Sequence, residues 1–126
     1  MSEHFPKSHR ILRRAEFRQV YQQGRRFQAK FFTAFVIDNQ GNQTRLGITT
    51  TRKMGNAVRR NRARRLLREV FRKNKQLAAD GIDIVLNARD SISEAAYTDV
   101  ESDFISFLKK AGKRSEVHSD ISDSDL

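Results

Sequence analysis

Apolar residues in this chain recur with two different periods, and the alternation between them predicts the elements. At about 100° per residue, Phe17, Val20 and Tyr21 fall on one face of a short helix over about 13–23, with Gly24 as its stop. Residues 30–38, KFFTAFVID, are aromatic and β-branched and read as a strand that residues 25–29 lead into. Alternation places Phe31, Thr33, Phe35 and Ile37 on one face and Phe32, Ala34 and Val36 on the other. Both faces are largely apolar, so both are covered at least in part. The turn DNQGNQ, 38–43, joins this strand to RLGITTT, 45–51, and a hairpin is the expected pairing.

A long helix follows, with Asn56 as its N-cap. Ala63, Leu66, Leu67, Val70, Phe71 and Leu77 form its i, i+3, i+4, i+7 core stripe, and the helix runs to about residue 77. Ala79-Asp80-Gly81 closes it, and IDIVLNA, 82–88, is a strand. In a last helix Thr98 and Glu101 are spaced as a capping box; Val100, Phe104, Phe107 and Leu108 are its buried stripe and Gly112 its end. Residues 1–12 read as an extended basic arm. From Lys113 the chain is Ser-rich and acidic, ending SDISDSDL, and is expected to be disordered. The organisation is thus one domain, 1–112, and a tail, 113–126.

Helix, two or three strands, helix, strand, helix is most economically an α+β fold, one sheet with helices packed on it. If the strands flanking the long helix are parallel neighbours, that helix is their crossover, which general rules make right-handed.

Charge changes the picture. The chain has 25 Lys and Arg against 15 Asp and Glu, a net +10. Eleven of those cations and only one acid, Glu69, lie in residues 52–75, leaving fourteen of each sign elsewhere. The excess charge is therefore the long helix and its approach. Asn61, Arg64, Arg65, Arg68 and Arg72 line the side opposite its apolar stripe, with Glu69 placed to pair with Arg65 and Lys73. A solvated face normally mixes Lys, Glu and Arg. This one is nearly all Arg, the side chain suited to bidentate phosphate contacts. A nucleic acid is favoured as partner over an anionic membrane or an inert face.

No apolar run approaches the ~20 residues of a membrane span, and residues 1–30 carry charges throughout, without the apolar core of a signal peptide. Absence of cysteine excludes disulfides and thiolate zinc sites and fits a cytoplasmic protein. His4, His9 and His118 lie near the termini in polar surroundings. Glu16, Asp38, Asp80, Asp83 and Asp90 are scattered, and no phosphate loop or metal spacing is present, so a stand-alone nuclease is disfavoured and no catalytic or metal-ligating residue is assigned. Phe17, Tyr21 and Phe35 suit either a core or base stacking beside a cationic groove. The hydroxyls of Thr49, Thr50 and Thr51 suit either a strand or phosphate contacts.

The run RLGITTTRKMGNAVRRNRARRLLREVFR, residues 45–72, resembles the protein subunit of bacterial ribonuclease P. The likeness rests on Arg60-Asn61-Arg62 preceded by Gly55-Asn56-Ala57-Val58 and followed by Arg64, Arg65 and Arg68. Upstream Phe17, Val20, Tyr21 and Gly24 extend it to roughly residues 9–111. The resemblance implies a two-layer α/β sandwich, one four-stranded sheet packed with helices in the order αβββαβα, with a left-handed βαβ crossover through the arginine helix. It also implies a partner, a catalytic RNA that with Mg²⁺ removes the 5′ leader of precursor tRNA, the protein itself binding no cofactor and no membrane. Arg52, Lys53, Asn56, Arg60, Asn61, Arg62, Arg64, Arg65 and Arg68 would then contact RNA, and Phe17, Tyr21 and Phe35 the leader. Ala63 stands where the family usually has a larger aliphatic, and Arg52 and Arg64 where Lys is frequent. A structural RNA-binding protein of ribosomal type, without a catalytic partner, shares the charge argument and is the alternative; a zipper-type DNA binder lacks the leucine heptads.

Overall fold

The computed structural model describes residues 10, 11, 13–41 and 43–111. The N-terminal arm before Arg10, Gly112 and the acidic tail fall outside that range. Along the chain lie α1 (Arg14–Gln23), β1 (Arg25–Gln28), β2 (Phe32–Asp38), β3 (Arg45–Thr49), α2 (Ala57–Asn74), β4 (Ile82–Ala88) and α3 (Tyr97–Ala111). Short 3₁₀ turns at Arg52–Met54, Lys75–Leu77 and Asp90–Glu94 link them. The fold is α+β: three helices and one four-stranded mixed sheet.

Two strand expectations change. Residues 25–28 are a strand in their own right, paired antiparallel with β2 from Arg25↔Val36 to Gln28↔Thr33. The hairpin expected between β2 and β3 does not form, because the order is β1-β2-β4-β3 and β4 lies between them. β4 is antiparallel to β2 and parallel to β3, so α2 is the crossover of a parallel βαβ unit. The reason lies in β4 itself. Six of its seven residues are buried, Asn87 excepted, and a strand apolar on both faces needs a neighbour on each side. A β2–β3 hairpin would have left its backbone at an edge. The 39–44 turn instead bridges over the start of β4: Asn39 N–H donates to Gly81 O (2.8 Å), and Asn39 Nδ2 to Gln43 O (2.9 Å) and Asp83 Oδ1 (2.8 Å). Gly81 has φ +72°, and a Cβ there would lie 2.5 Å from Gly41 O.

One sheet face carries Phe32, Ala34, Val36, Leu46, Ile84 and Leu86. Against it pack Leu67, Val70 and Phe71 of α2 and Val100, Phe104, Phe107 and Leu108 of α3, all buried. The other face is covered only in part: α1 sets buried Val20 on Val85, with Ile11 beside it and Phe17, Phe35 and Ile37 partly exposed around them. Arg10 and Ile11 extend the sheet past β3 by one parallel bridge to Leu46, with Ile11 N–H donating to Leu46 O (3.0 Å).

Three local expectations are corrected. Gly24 ends α1 in extended backbone (φ −81°, ψ 163°), not in the left-handed region; a Cβ would meet Val20 O at 2.5 Å and Val36 O at 2.8 Å, so close approach is what requires glycine. Thr98 and Glu101 form no capping box. Thr98 is the second residue of α3, and Glu101 accepts from Asn74 Nδ2 (2.8 Å) and Tyr97 OH (3.4 Å). Leu77 is half exposed, beyond the end of α2 and off its stripe.

Phe104 of α3 joins α2 to the sheet, its ring centroid 6.2 Å from Phe32, 6.3 Å from Phe71 and 5.7 Å from Phe107. Phe104→Ala should lower the unfolding free energy by about 3–5 kcal/mol, read by urea denaturation. Leu77→Ala should stay within about 0.5 kcal/mol of the parent.

Candidate nucleic-acid interface

Two surfaces adjoin around β3, from opposite faces of the sheet: the arginine side of α2 and a cleft beside α1 that carries aromatic rings. The first begins at the 3₁₀ turn Arg52–Met54. Buried Met54 anchors it, leaving Lys53 exposed. Gly55 follows at φ +109°, a left-handed conformation that glycine adopts without strain. Asn56 then caps α2 as expected, its Oδ1 accepting from Arg59 N–H (3.0 Å). The main-chain turn is thus built to start the helix where its first arginines emerge.

Those arginines are not equivalent. Arg60 donates to Gly55 O. Arg62 reaches back to the 3₁₀ turn after β4, donating to Ser93 O (3.1 Å), Ala95 O (3.2 Å) and, more weakly, Ile92 O (3.4 Å). Its guanidinium is held by its own chain. Arg64 leans on Asn61 Oδ1 at 3.5 Å, near the limit for a hydrogen bond. Arg65 and Arg68 are exposed, with no hydrogen bond or ion pair among the described residues. Burial lowers the Arg68 pKa from its ordinary value, and repulsion from Arg10, Arg64 and Arg65 lowers it further.

No carboxylate among the described residues comes to these guanidinium groups. Asp83 of β4 and Glu16 of α1 are both taken by Arg45, at 2.7 Å and 3.3 Å. The Asp83 hydrogen bond is the main reason the Arg45 pKa is raised. Glu69 pairs with Arg72 (2.7 Å) and Lys73 (3.8 Å), not with Arg65 as the spacing allowed. Its pKa is lowered chiefly by the Arg72 hydrogen bond.

The cleft is built by α1. Phe17 lies directly on Gly47 of β3, where a Cβ would come within 2.7 Å of two ring carbons. A cavity of about 180 Å³ lies there, bordered by Arg10, Phe17, Gly47, Ile48 and Arg68. It brings an aromatic ring of α1 and a guanidinium of α2 to one opening. Tyr21, one turn on, stands edge-on to Phe35 of β2 (centroids 5.0 Å, 87°) and is 37% exposed. Phe17 and Phe35 are half-buried, both packed against the small core of Ile11, Val20 and Val85, and Phe17 also borders the cavity.

Sequence reasoning missed the polar row beside these rings. Register aligns Gln28 with Thr33, Thr33 with Asn87, and Asn87 with Thr49, one residue from each strand. Strand alternation puts all four on the α1 face, just past the part that α1 covers. The Thr49 hydroxyl, considered above for phosphate contact, donates to Asn87 Oδ1 (2.5 Å). Asn87 was visible as the one amide in a largely apolar strand, but its neighbours depend on a sheet order that alternation does not reveal.

A family model described as Ribonuclease P matches residues 5–112. The chain is similar to the ribonuclease P protein component of Syntrophus aciditrophicus (strain SB), at 47% identity over 94 residues, covering 75% of this chain and 79% of that one. It is similar to the ribonuclease P protein component of Clostridium botulinum (strain Loch Maree / Type A3), at 37% identity over 107 residues, covering 84% and 96%. The solved RNase P protein from Thermotoga maritima matches with a TM-score of 0.75 at 32% identity, over 80% of this chain and 96% of that one.

Arg62→Gln, which removes hydrogen bonds from a charged donor to main-chain carbonyls, should cost about 1–2 kcal/mol of stability in chemical denaturation. Arg65→Gln should leave the denaturation midpoint unchanged or raise it slightly, because it relieves repulsion.

Proposed function

The chain belongs to the ribonuclease P protein family, and from that premise we propose that it is the protein subunit of a ribonucleoprotein that trims the 5′ leader from precursor tRNA. In this reading α2 and its approach bind the catalytic RNA through Lys53, Asn56, Arg60, Asn61, Arg64, Arg65 and Arg68, with Arg52 at the start of the turn. Arg62, exposed beside them, joins this set while its bonds to Ser93 O and Ala95 O tie the helix to the Asp90–Glu94 turn. The cleft beside α1 holds the single-stranded leader, its bases stacking on Phe17, Tyr21 and Phe35.

One observation carries the proposal. Arg64, Arg65 and Arg68 concentrate positive charge that no described carboxylate neutralises, and Arg68 among them borders the cavity beside the Phe17 ring. Phosphates of a partner relieve the mutual repulsion of these groups, so binding gains both from new contacts and from removal of a penalty in the free protein. Each neutralised phosphate also releases counterions, which makes affinity steeply salt-dependent. Stacking in the cleft adds about 1–3 kcal/mol per base and is available only to an unpaired strand. The combination selects an RNA bearing a flexible single-stranded extension over its processed product.

Hydrolysis is assigned to the RNA with Mg²⁺, where the metal supplies charge stabilisation and an activated water. This chain's carboxylates suit that division: Asp83 and Glu16 are engaged by Arg45, and Asp103 Oδ2 accepts from Phe31 N–H (2.9 Å).

Replacing Arg64, Arg65 and Arg68 together by Gln should reduce the slope of log affinity for the catalytic RNA against log salt by roughly two to three; an unchanged slope would refute the phosphate assignment. Phe17→Ala and Phe35→Ala should weaken precursor tRNA binding more than mature tRNA binding, and equal weakening would return both rings to the core. At low Mg²⁺, precursor cleavage should need protein and RNA together, and cutting by purified protein alone would overturn the division of labour.

A further inference from the structure

The acidic tail takes no part in the proposed function. The family match ends at residue 112, and the fourteen residues that follow read KRSEVHSDISDSDL. Past Lys113 and Arg114 they carry four carboxylates, Glu116, Asp120, Asp123 and Asp125, and no Lys or Arg. Val117, Ile121 and Leu126 are set among these acids. So polar a segment cannot bury enough apolar surface to fold by itself, but its few apolar side chains can order it on a surface already formed.

Such a surface lies where the tail begins. A groove of about 430 Å³ runs between the chain after α2 and the last turns of α3, lined by Leu77, Ala78, Ala79, Ile105, Leu108 and Lys109. Leu77 is 50% exposed. The other exposed large apolar residues, Tyr21 and Val58, belong to the cleft and to the first turn of α2; Leu77 has a part in neither. Lys109 stands at the groove, exposed, with Lys110 exposed beside it in the last turn of α3, and no described carboxylate pairs with either. α3 ends at Ala111, about one helical turn past Leu108. The five residues 112–116 span up to about 17 Å when extended. Val117 and the residues after it are therefore held near the groove on a short tether, at an effective concentration in the millimolar range.

We propose that the tail docks in this groove of its own chain, with Val117 and Ile121 against Leu77 and Ile105 and its acids toward Lys109 and Lys110. The arginine side of α2 matches the acids alone. The groove matches acids and apolar side chains together, and it lies at the tether. Docking there covers an apolar patch and engages the tail's carboxylates with lysines, so they do not compete with phosphates for the arginines of α2.

The test uses the full chain of 126 residues. It contains no cysteine, so Ser122→Cys gives a single site for a nitroxide label, and broadening of amide signals by NMR reports what the tail approaches. Signals of Leu77, Ala78, Ala79, Ile105 and Lys109 should lose most of their intensity, while those of Arg64, Arg65 and Arg68 keep theirs. The loss should vanish in a mixture where one set of chains carries the isotope and another the nitroxide. Ile121→Asp, beyond α3, should restore the groove signals in the labelled chain. Leu77→Asp, at a half-exposed position, should restore the remaining groove signals with the rest of the spectrum unchanged. Broadening centred on Arg64, Arg65 and Arg68 would make the tail a shield of the charged face and overturn the proposal. So would broadening in the mixed sample, which would make a second copy the occupant, and so would groove signals that stay sharp or a loss that survives Ile121→Asp.

Discussion

The apolar seam between α2 and the sheet has to outweigh the repulsion among the arginines that the same helix carries on its other side. Ala63, Leu67, Val70 and Phe71 are all buried, and at about 25 cal/mol per Å² their burial is worth several kcal/mol. Like charges three and four residues apart cost only a few tenths of a kcal/mol per pair. The seam wins, but only while packed: an isolated peptide of this sequence would feel the repulsion without the compensation. The charge density that suits α2 to a polyanion is therefore a property of the folded domain. Arg62 belongs to the packed side of this balance, because its bonds to Ser93 and Ala95 tie the first turns of α2 to the chain leaving β4.

Where the acids sit completes the balance. The fold contains enough carboxylates to neutralise much of α2, yet holds them elsewhere. Asp83, buried in β4, and Glu16 on α1 close on Arg45. Glu101 serves Asn74 and Tyr97 at the α2–α3 contact, and Glu69 faces Arg72 and Lys73, toward the C-terminal end of the helix. A buried carboxylate without a partner carries a large desolvation penalty, so Arg45 stabilises Asp83 where it is and at the same time keeps it from the cleft. The positive field at Arg64, Arg65 and Arg68 is thus maintained by internal pairings some distance along the sheet.

How much of this was legible in the sequence follows from the range of each interaction. α2, β4 and the apolar stripe of α3 came from periodicity alone, because each is long and one-sided or uniformly apolar. The Asn56 cap was legible because it is a contact within four residues. The β2–β3 hairpin failed for the opposite reason: strand adjacency is decided by which strand most needs two neighbours, a comparison across some forty residues. The capping box failed because a spacing match carries no information about a competing partner, and Asn74 was that partner. Gly24 was the right residue for an unforeseen reason, an approach of two backbone segments that only the tertiary fold creates. At the interface the cationic stripe was readable as composition, but not the separation of Arg62 from its neighbours, which depends on carbonyls thirty residues away.

The two faces of the sheet explain why the cleft can exist at all. The face under α2 and α3 is fully covered and supplies nearly all of the large core. Stability therefore does not require α1 to cover the other face completely, and α1, at ten residues, is too short to do so. Its single buried residue, Val20, meets Val85 near the middle of the sheet, which leaves rings on the rim and a row of hydroxyls and amides uncovered at one end. On a sheet face that had to form the core, Thr33, Asn87 and Thr49 would be costly, because each buried polar group needs a partner. Here they are partly exposed, and Tyr21, Thr49 and Asn87 hydrogen-bond to one another. A thick core on one side is thus what permits a shaped, polar, partly open surface on the other. Because Arg68 and Phe17 border the same cavity, the partly open α1 side of the sheet and the charged side of α2 meet at one opening.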